Sequence, residues 1–321
     1  MELKTETCFI NSKVDGLPLS VMTITPSSAP IGIVQIAHGM REHKERYIPV
    51  MKFLAGKGFA CIIHDHRGHG GSVKSEKDYG YFYESGEKGM IADVALVGTH
   101  MKKQHPGLPF YLLGHSMGSL IVRAYLKKLD FTLDGLIISG CPVYVSGCKW
   151  GIALVKAMEI FKGERSHSPL LNRLTKYKDN GRYTAETSES AWICSDPAII
   201  EQYDNDPLSQ FYFTLNGYHA LFKLMEMVYS SKGWNITNPE LPIWFISGED
   251  DPCMGSEEKF LNAINILRQA GYGNISYQIY PQMRHEVLNE KEKELVWSDL
   301  EEKLLTWNKK SYACINEADA K

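Results

Sequence analysis

The chain alternates short, almost wholly apolar runs with longer segments in which apolar residues recur every three or four positions. Residues 31–37, 59–64, 110–113 and 136–138 are runs of the first kind. They are too short for helices and carry apolar side chains on both faces, as strands buried inside a parallel sheet do. Between them, residues 47–57, 89–104 and 117–129 have helical spacing. Strand and helix repeated in this way predict a mostly parallel sheet with helices on both faces. Right-handed crossovers then bring the loops that follow the strands to one edge, where open α/β sheets bind ligands. Two earlier segments, 5–10 and 19–25, read as short antiparallel edge strands, and the pattern leaves their partners open.

The rhythm changes after Gly140. Residues 149–161 and 215–230 have helical spacing, but Lys, Tyr, Asp and Asn-rich sequence containing Pro169, Pro197 and Pro207 separates them. The strand and helix alternation resumes with a strand at 242–247, a helix at 256–270, a strand at 277–280 and a final helix at 288–309. The expected organisation is therefore a core of residues 1–140 and 241–321, with 141–240 inserted as a mostly helical cap over the active edge of the sheet. The competing reading is a second packing layer without catalytic influence.

The 321 residues, 44% apolar and 23% charged, are those of an ordinary globular protein. A net charge of −3 gives no electrostatic reason to expect nucleic-acid binding, which needs a concentrated basic surface. The acidic start, Met1-Glu2-Leu3-Lys4-Thr5-Glu6, does not resemble a secretory signal, and no apolar run reaches membrane-spanning length, so a cytoplasmic protein is expected. Seven scattered cysteines without a Cys-x-x-Cys pair argue against a disulfide framework and a zinc-thiolate site.

The most informative chemistry is Gly114-His115-Ser116-Met117-Gly118, which stands between a strand and a long helix. Such a turn strains the serine backbone so that the hydroxyl projects, and the flanking glycines permit close approach of neighbouring backbone. Ser116 is thus the expected nucleophile. The amide of Met117, at the start of the helix, and that of Met40, just after His38-Gly39, are the expected oxyanion donors. Serine needs a base. His285 is the only histidine after His219 and follows the last strand, so it is the candidate. A carboxylate must then fix the imidazole. Gly248-Glu249-Asp250-Asp251-Pro252 follows the strand at 242–247, and Asp251 is favoured there with Asp250 as the alternate. His64-Asp65-His66-Arg67-Gly68-His69-Gly70 invites a metal reading. Its glycines and preceding strand fit a structural turn that Arg67 fastens, so neither metal nor cofactor is expected.

Five segments together resemble the monoacylglycerol lipase and lysophospholipase group of serine α/β-hydrolases, especially its bacterial members. They are His38-Gly39-Met40-Arg41-Glu42-His43, Asp65-His66-Arg67-Gly68-His69-Gly70, Gly114-His115-Ser116-Met117-Gly118-Ser119, Gly248-Glu249-Asp250-Asp251-Pro252 and Arg284-His285-Glu286-Val287-Leu288-Asn289-Glu290. The resemblance implies the α/β-hydrolase fold with a helical cap, hydrolysis of monoacylglycerols, lysophospholipids or related esters, and Ser116, Asp251 and His285 as the triad. It also supports Met40 and Met117 as oxyanion donors. Two departures stand out: Ser209-Gln210 replaces a small, glycine-containing stretch, and Gly71 lengthens the glycine turn before Ser72. Trp192, Phe211, Phe213 and Leu215 are candidates to line an acyl site, although cap packing needs such residues equally. The partner is then a small ester or lipid, and an exposed apolar cap surface would suit either transient membrane-surface contact or self-association, a choice the sequence leaves open. The alternatives are a carboxylesterase for short soluble esters, an amide or peptide hydrolase, and a noncatalytic module on the same fold.

Overall fold

The computed structural model describes residues 2–175, 183 and 188–319. Part of the polar stretch inside the insertion, residues 176–182 and 184–187, and the last two residues of the chain lie outside them. Eight strands form one sheet: β1 (Leu3–Asn11), β2 (Pro18–Pro26), β3 (Gly32–Ala37), β4 (Phe59–His64), β5 (Phe110–His115), β6 (Gly135–Ser139), β7 (Ile243–Gly248) and β8 (Ile275–Tyr280). Their order is β1-β2-β4-β3-β5-β6-β7-β8. From β4 to β8 all pairings are parallel.

The hairpin whose partners the pattern left open is the exception. β1 runs antiparallel to β2, with Cys8 opposite Val21, and β2 runs antiparallel to β4, with Met22 opposite Ile63. β1 is largely exposed and carries Lys4 and Glu6, charges that blunt an open sheet edge.

The continuous apolar runs are explained by the two faces of the sheet. Leu112 of β5 packs into one core with α2 (Gly86–Gln104), α3 (Met117–Leu129) and α8 (Glu257–Ala270). Its neighbour Leu113 packs into the other with α1 (Ile48–Gly56) and α9 (Lys293–Asp319). Successive strand residues face opposite sides, so a strand covered on both must be apolar throughout.

Between β6 and β7 the chain leaves the sheet as a helical insertion. It contains α4 (Cys148–Lys162), α5 (Pro169–Thr175), α6 (Pro197–Asn205) and α7 (Leu215–Tyr229). α6 falls within sequence read as polar connection. Asp196 caps it by accepting from the Ala198 amide, and Pro197 occupies its first turn, a start signal stronger than its weak apolar pattern.

Two predicted boundaries need correction. α2 begins at Gly86 rather than 89, because its first turn is mostly polar and its regular apolar spacing starts only at Met90. α9 begins at Lys293 rather than 288. The preceding residues form turns in which the Leu288 carbonyl accepts from Trp297 Nε1 and Glu290 accepts from the amides of Arg284 and Ser195.

Candidate active site

Ser116 sits between β5 and α3 with φ 52° and ψ −117°, a left-handed backbone rare for any residue but glycine. Neighbouring backbone holds it there. Its amide donates to the Ser139 carbonyl at 2.9 Å, and its carbonyl accepts from Ser119 N at 2.9 Å and Ser119 Oγ at 2.6 Å. The elbow glycines are sterically required. A Cβ on Gly118 would lie 2.0 Å from the Ala37 carbonyl oxygen, and one on Gly114 would lie 2.6 Å from the Gly118 carbonyl oxygen.

The loop after β3 approaches the same serine. A Cβ on Gly39 would stand 3.0 Å from Ser116 Cβ, and its amide donates to Glu42 Oε1 at 3.1 Å. His38 Nε2 accepts from the His66 amide at 2.9 Å, so Nδ1 carries the proton and donates to the Gly39 carbonyl at 2.8 Å. Met40 follows and shares a cavity wall with Ser116 and Met117.

Asp251 and His285 come from the loops after β7 and β8. His285 Nδ1 lies 3.0 Å from each Asp251 carboxylate oxygen. Asp251 Oδ1 also accepts from the Cys253 amide at 2.8 Å, and Oδ2 accepts from Ser247 Oγ at 3.2 Å, which fixes the carboxylate before the histidine meets it. The backbone of the alternate acid, Asp250, is tied to neighbouring loops: its amide donates to the Met283 carbonyl and its carbonyl accepts from Tyr183. His285 is buried between the rings of His115, at 4.6 Å, and Trp192, at 5.0 Å, and its Nε2 is 3.9 Å from Cys253 Sγ. Burial works against a charged imidazole, but the Asp251 carboxylate prevails and holds the His285 pKa well above its ordinary value.

Four residues beside this pair escaped individual roles in the sequence reading. Glu42, His115 and Glu286 gather ligand-type atoms within 4.8 Å, and Arg46 binds Glu286 Oε2 at 2.5 Å and lies 3.8 Å from Glu42 Oε2. One guanidinium thus meets two buried carboxyl groups. Burial and the Glu286 charge push the Glu42 carboxyl up to about 7, against the pull of Arg46. Glu42 and Arg46 follow the His38-Gly39 turn closely, a position that could have flagged them, whereas the approach of Glu286 from beyond β8 is purely tertiary.

The 64–70 segment is built into the scaffold. Arg67, fully buried, donates to Asp93 at 2.9 and 2.7 Å and to Asp15 at 2.7 Å, which is the fastening its sequence suggested. Asp65 accepts from the amides of Lys44 and Gly71, both at 2.8 Å, and pairs with Lys44 Nζ. The extra glycine, Gly71, is in close contact with β2, where a Cβ would stand 2.9 Å from Ser20.

A cavity of about 1060 Å³ opens from Ser116 and His285 outward among the insertion helices. Trp192 and Phe213 line it. Phe211 and Leu215 are placed differently. Phe211 packs on Tyr79 and His69, and Leu215 is fully buried at the start of α7.

Residues 28–292 match the family described as serine aminopeptidase, S33. The chain belongs to that family. It is an enzyme of the serine α/β-hydrolase superfamily of esterases and lipases. A monoacylglycerol lipase from Mycolicibacterium smegmatis is 27% identical over 296 residues, 89% of this chain and 92% of the relative. Human monoglyceride lipase is 35% identical over 124 residues, 39% of each chain. Among solved structures, a thermostable carboxyl esterase from Bacillus coagulans in complex with glycerol superposes with a TM-score of 0.85 at 25% identity, covering 95% of this chain and 99% of the esterase. These similarities span bacterial and mammalian enzymes. The α/β-hydrolase fold with a helical cap insertion is therefore the architecture of this serine hydrolase. Among the described residues no helix is long and apolar enough to cross a membrane.

Proposed function

We propose that the chain hydrolyses monoacylglycerols or lysophospholipids through an acyl-Ser116 intermediate, with His285 as base and acid and Asp251 orienting it. The observation that carries this reading is the cavity. At about 1060 Å³ it is larger than a short acyl group needs, and Leu120, Leu154, Leu171, Leu221, Phe222 and Met225 line it together with Arg41, Glu42 and Glu286. In this reading residues 141–240 act as a cap that shapes the acyl channel over a core of 1–140 and 241–321.

In this reading the chemistry is acyl transfer in two steps. As Ser116 Oγ bonds to the acyl carbon, its proton passes to His285 Nε2, and the Met40 and Met117 amides stabilise the oxyanion. The bond from the acyl carbon to the alcohol oxygen then breaks, and His285 returns the proton to the leaving alcohol. Water, deprotonated by His285, releases the acid and restores Ser116.

We propose further that the insertion touches lipid surfaces. On α4, Trp150, Ile160 and Phe161 are 81%, 75% and 86% exposed, and Lys149, Lys156 and Lys162 lie on the same helix. An apolar face flanked by lysines suits an anionic bilayer surface. Cytoplasmic action agrees with free cysteines at 8, 61, 141, 148, 194 and 253.

The likeness to the carboxyl esterase favours a second reading, in which short soluble esters are the substrates. A panel of p-nitrophenyl esters, monoacylglycerols of increasing chain length, lysophospholipids and an aminoacyl amide separates the lipid, short-ester and amide readings. Higher kcat/KM for short esters than for long-chain monoacylglycerols or lysophospholipids overturns the lipid reading. Hydrolysis that survives in Ser116→Ala overturns the serine mechanism. Lack of both serine-dependent hydrolysis and fluorophosphonate labelling would point to a noncatalytic module.

A further inference from the structure

The departure at Ser209-Gln210 and the segment Arg41-Glu42-His43 meet across the boundary between insertion and core. Arg41 Nε donates to the Ser209 carbonyl at 3.1 Å, its NH2 donates to Gln210 Oε1 at 3.2 Å, and its guanidinium lies over the Tyr212 ring at 5.1 Å. Two residues on, His43 is held between two carboxylates: Nε2 is 2.6 Å from Asp206 Oδ2 and Nδ1 is 2.6 Å from Glu45 Oε2. Ionised carboxylates only accept hydrogen bonds, so both ring nitrogens must carry protons and the bridging His43 is an imidazolium. Asp206 also organises the turn that Arg41 grips. Its Oδ2 accepts from Ser209 Oγ at 2.8 Å and its Oδ1 from the Leu208 amide at 3.0 Å.

From this geometry we infer that Arg41 and His43 are positioning residues, which tie the 206–210 turn of the insertion to the loop that carries the Met40 amide beside Ser116. The inference rests on the reading of Ser116 as nucleophile and Met40 as oxyanion donor. The loop needs such support. Arg41 has φ 59°, a left-handed conformation that costs energy for a side-chain-bearing residue, and its amide donates to His69 Nε2 at 3.3 Å. Releasing the turn frees Arg41 to relax, and Met40, its immediate neighbour, moves with it.

The charge on His43 makes the tie dependent on pH. Burial lowers its pKa, but Glu45 and Asp206 outweigh burial and raise it. The other charged and titratable groups around the bridge include Lys44, which pairs with Glu45 and Asp65, Arg41, Tyr79, whose pKa burial raises with Glu76, Asp65 and Asp206 adding to the rise, and His69, whose pKa burial lowers to about 4, with His43 adding to the fall. Above the raised pKa, His43 loses one proton, one carboxylate contact becomes acceptor against acceptor, and the tie opens.

The test uses the full chain, with His43→Gln, Asp206→Asn and the double variant. Three quantities are measured: kcat and KM across pH on a soluble ester, the rate of fluorophosphonate labelling at Ser116, and the melting temperature. The wild type is expected to lose kcat/KM on the alkaline side through one deprotonation, mainly in kcat. Both single variants are expected to lack that limb and to fall about tenfold in kcat, and the double variant is expected to be no slower than either single one. Asp206→Glu is expected to keep part of the limb. Melting temperatures taken at each pH show whether each variant stays folded under assay conditions, so that a pH-dependent loss of fold is not read as a limb. An alkaline limb that persists in both variants, or losses that multiply in the double variant, overturns the tie. Absence of wild-type labelling at Ser116, with activity surviving in Ser116→Ala, instead overturns the underlying reading of the site.

Discussion

His285 Nδ1 stands 3.0 Å from both carboxylate oxygens of Asp251, so one buried carboxylate fixes the tautomer of the imidazole and favours its charged form. Asp251→Asn tests that relationship. An amide can hold the ring in place while presenting the wrong hydrogen-bonding partner, and kcat is expected to fall about 10⁴-fold. The pH profile gives the sign. Asp251 raises the His285 pKa against burial, so without it burial dominates and the acidic limb of kcat/KM moves to lower pH. A limb that stays in place would show that Asp251 is not the group that sets it.

Gly118→Ala tests the elbow independently of chemistry. The added methyl would lie 2.0 Å from the Ala37 carbonyl oxygen and 2.6 Å from that of His38, both backbone atoms that cannot swing aside. We expect a loss of roughly 1–3 kcal/mol or more in urea denaturation, together with lost fluorophosphonate labelling. Wild-type stability and labelling in this variant would be incompatible with the close approach.

Acid should destabilise the fold before the carboxylates that form ion pairs are protonated. Burial lowers the His64 pKa to about 3, and it also holds those of His38, His66 and His115 well below their ordinary value near 6.5. Between these limits the unfolded chain binds more protons than the folded one. The contribution of these four neutral histidines is therefore full above about pH 6.5 and is lost as pH falls toward 3. His64 has no hydrogen-bond partner at either ring nitrogen among the described residues, so His64→Leu should cost little at pH 7 and reduce the acid sensitivity. Urea midpoints measured from pH 7 to pH 4 check this, and an unchanged slope in the variant would count against it.

The exposed apolar face of α4 should matter at lipid surfaces and not in solution. Trp150→Ser with Phe161→Ser is expected to weaken sedimentation with phosphatidylserine-containing vesicles several-fold and to lower hydrolysis of vesicle-borne substrate. Hydrolysis of a soluble short ester should be unaffected, because neither residue lines the cavity beside Ser116. Equal vesicle binding by wild type and variant would remove α4 from the interaction.

Much of this protein could be read along the chain because its constraints are local. β4 and α3 fall where periodicity places them, since a strand covered on both faces and a helix opening on a glycine elbow each need a recognisable residue pattern. The elbow around Ser116 was legible for the same reason: the strained turn and its two close backbone approaches demand glycine at 114 and 118. The sequence order also brought Asp251 and His285 to the ends of successive strands, although it left Asp250 as a rival.

What the chain pattern could not decide depends on contacts between distant segments. Only the fold brings Asp251 to His285, packs Phe211 on Tyr79 and Leu215 into the core, and joins Glu286 to Arg46, 240 residues earlier. The hydrogen bonds between His43 and Asp206, 163 residues apart, belong to the same class. Backbone conformation obeys residues that are neighbours in sequence. The electrostatics of a buried site depend on which side chains folding brings together.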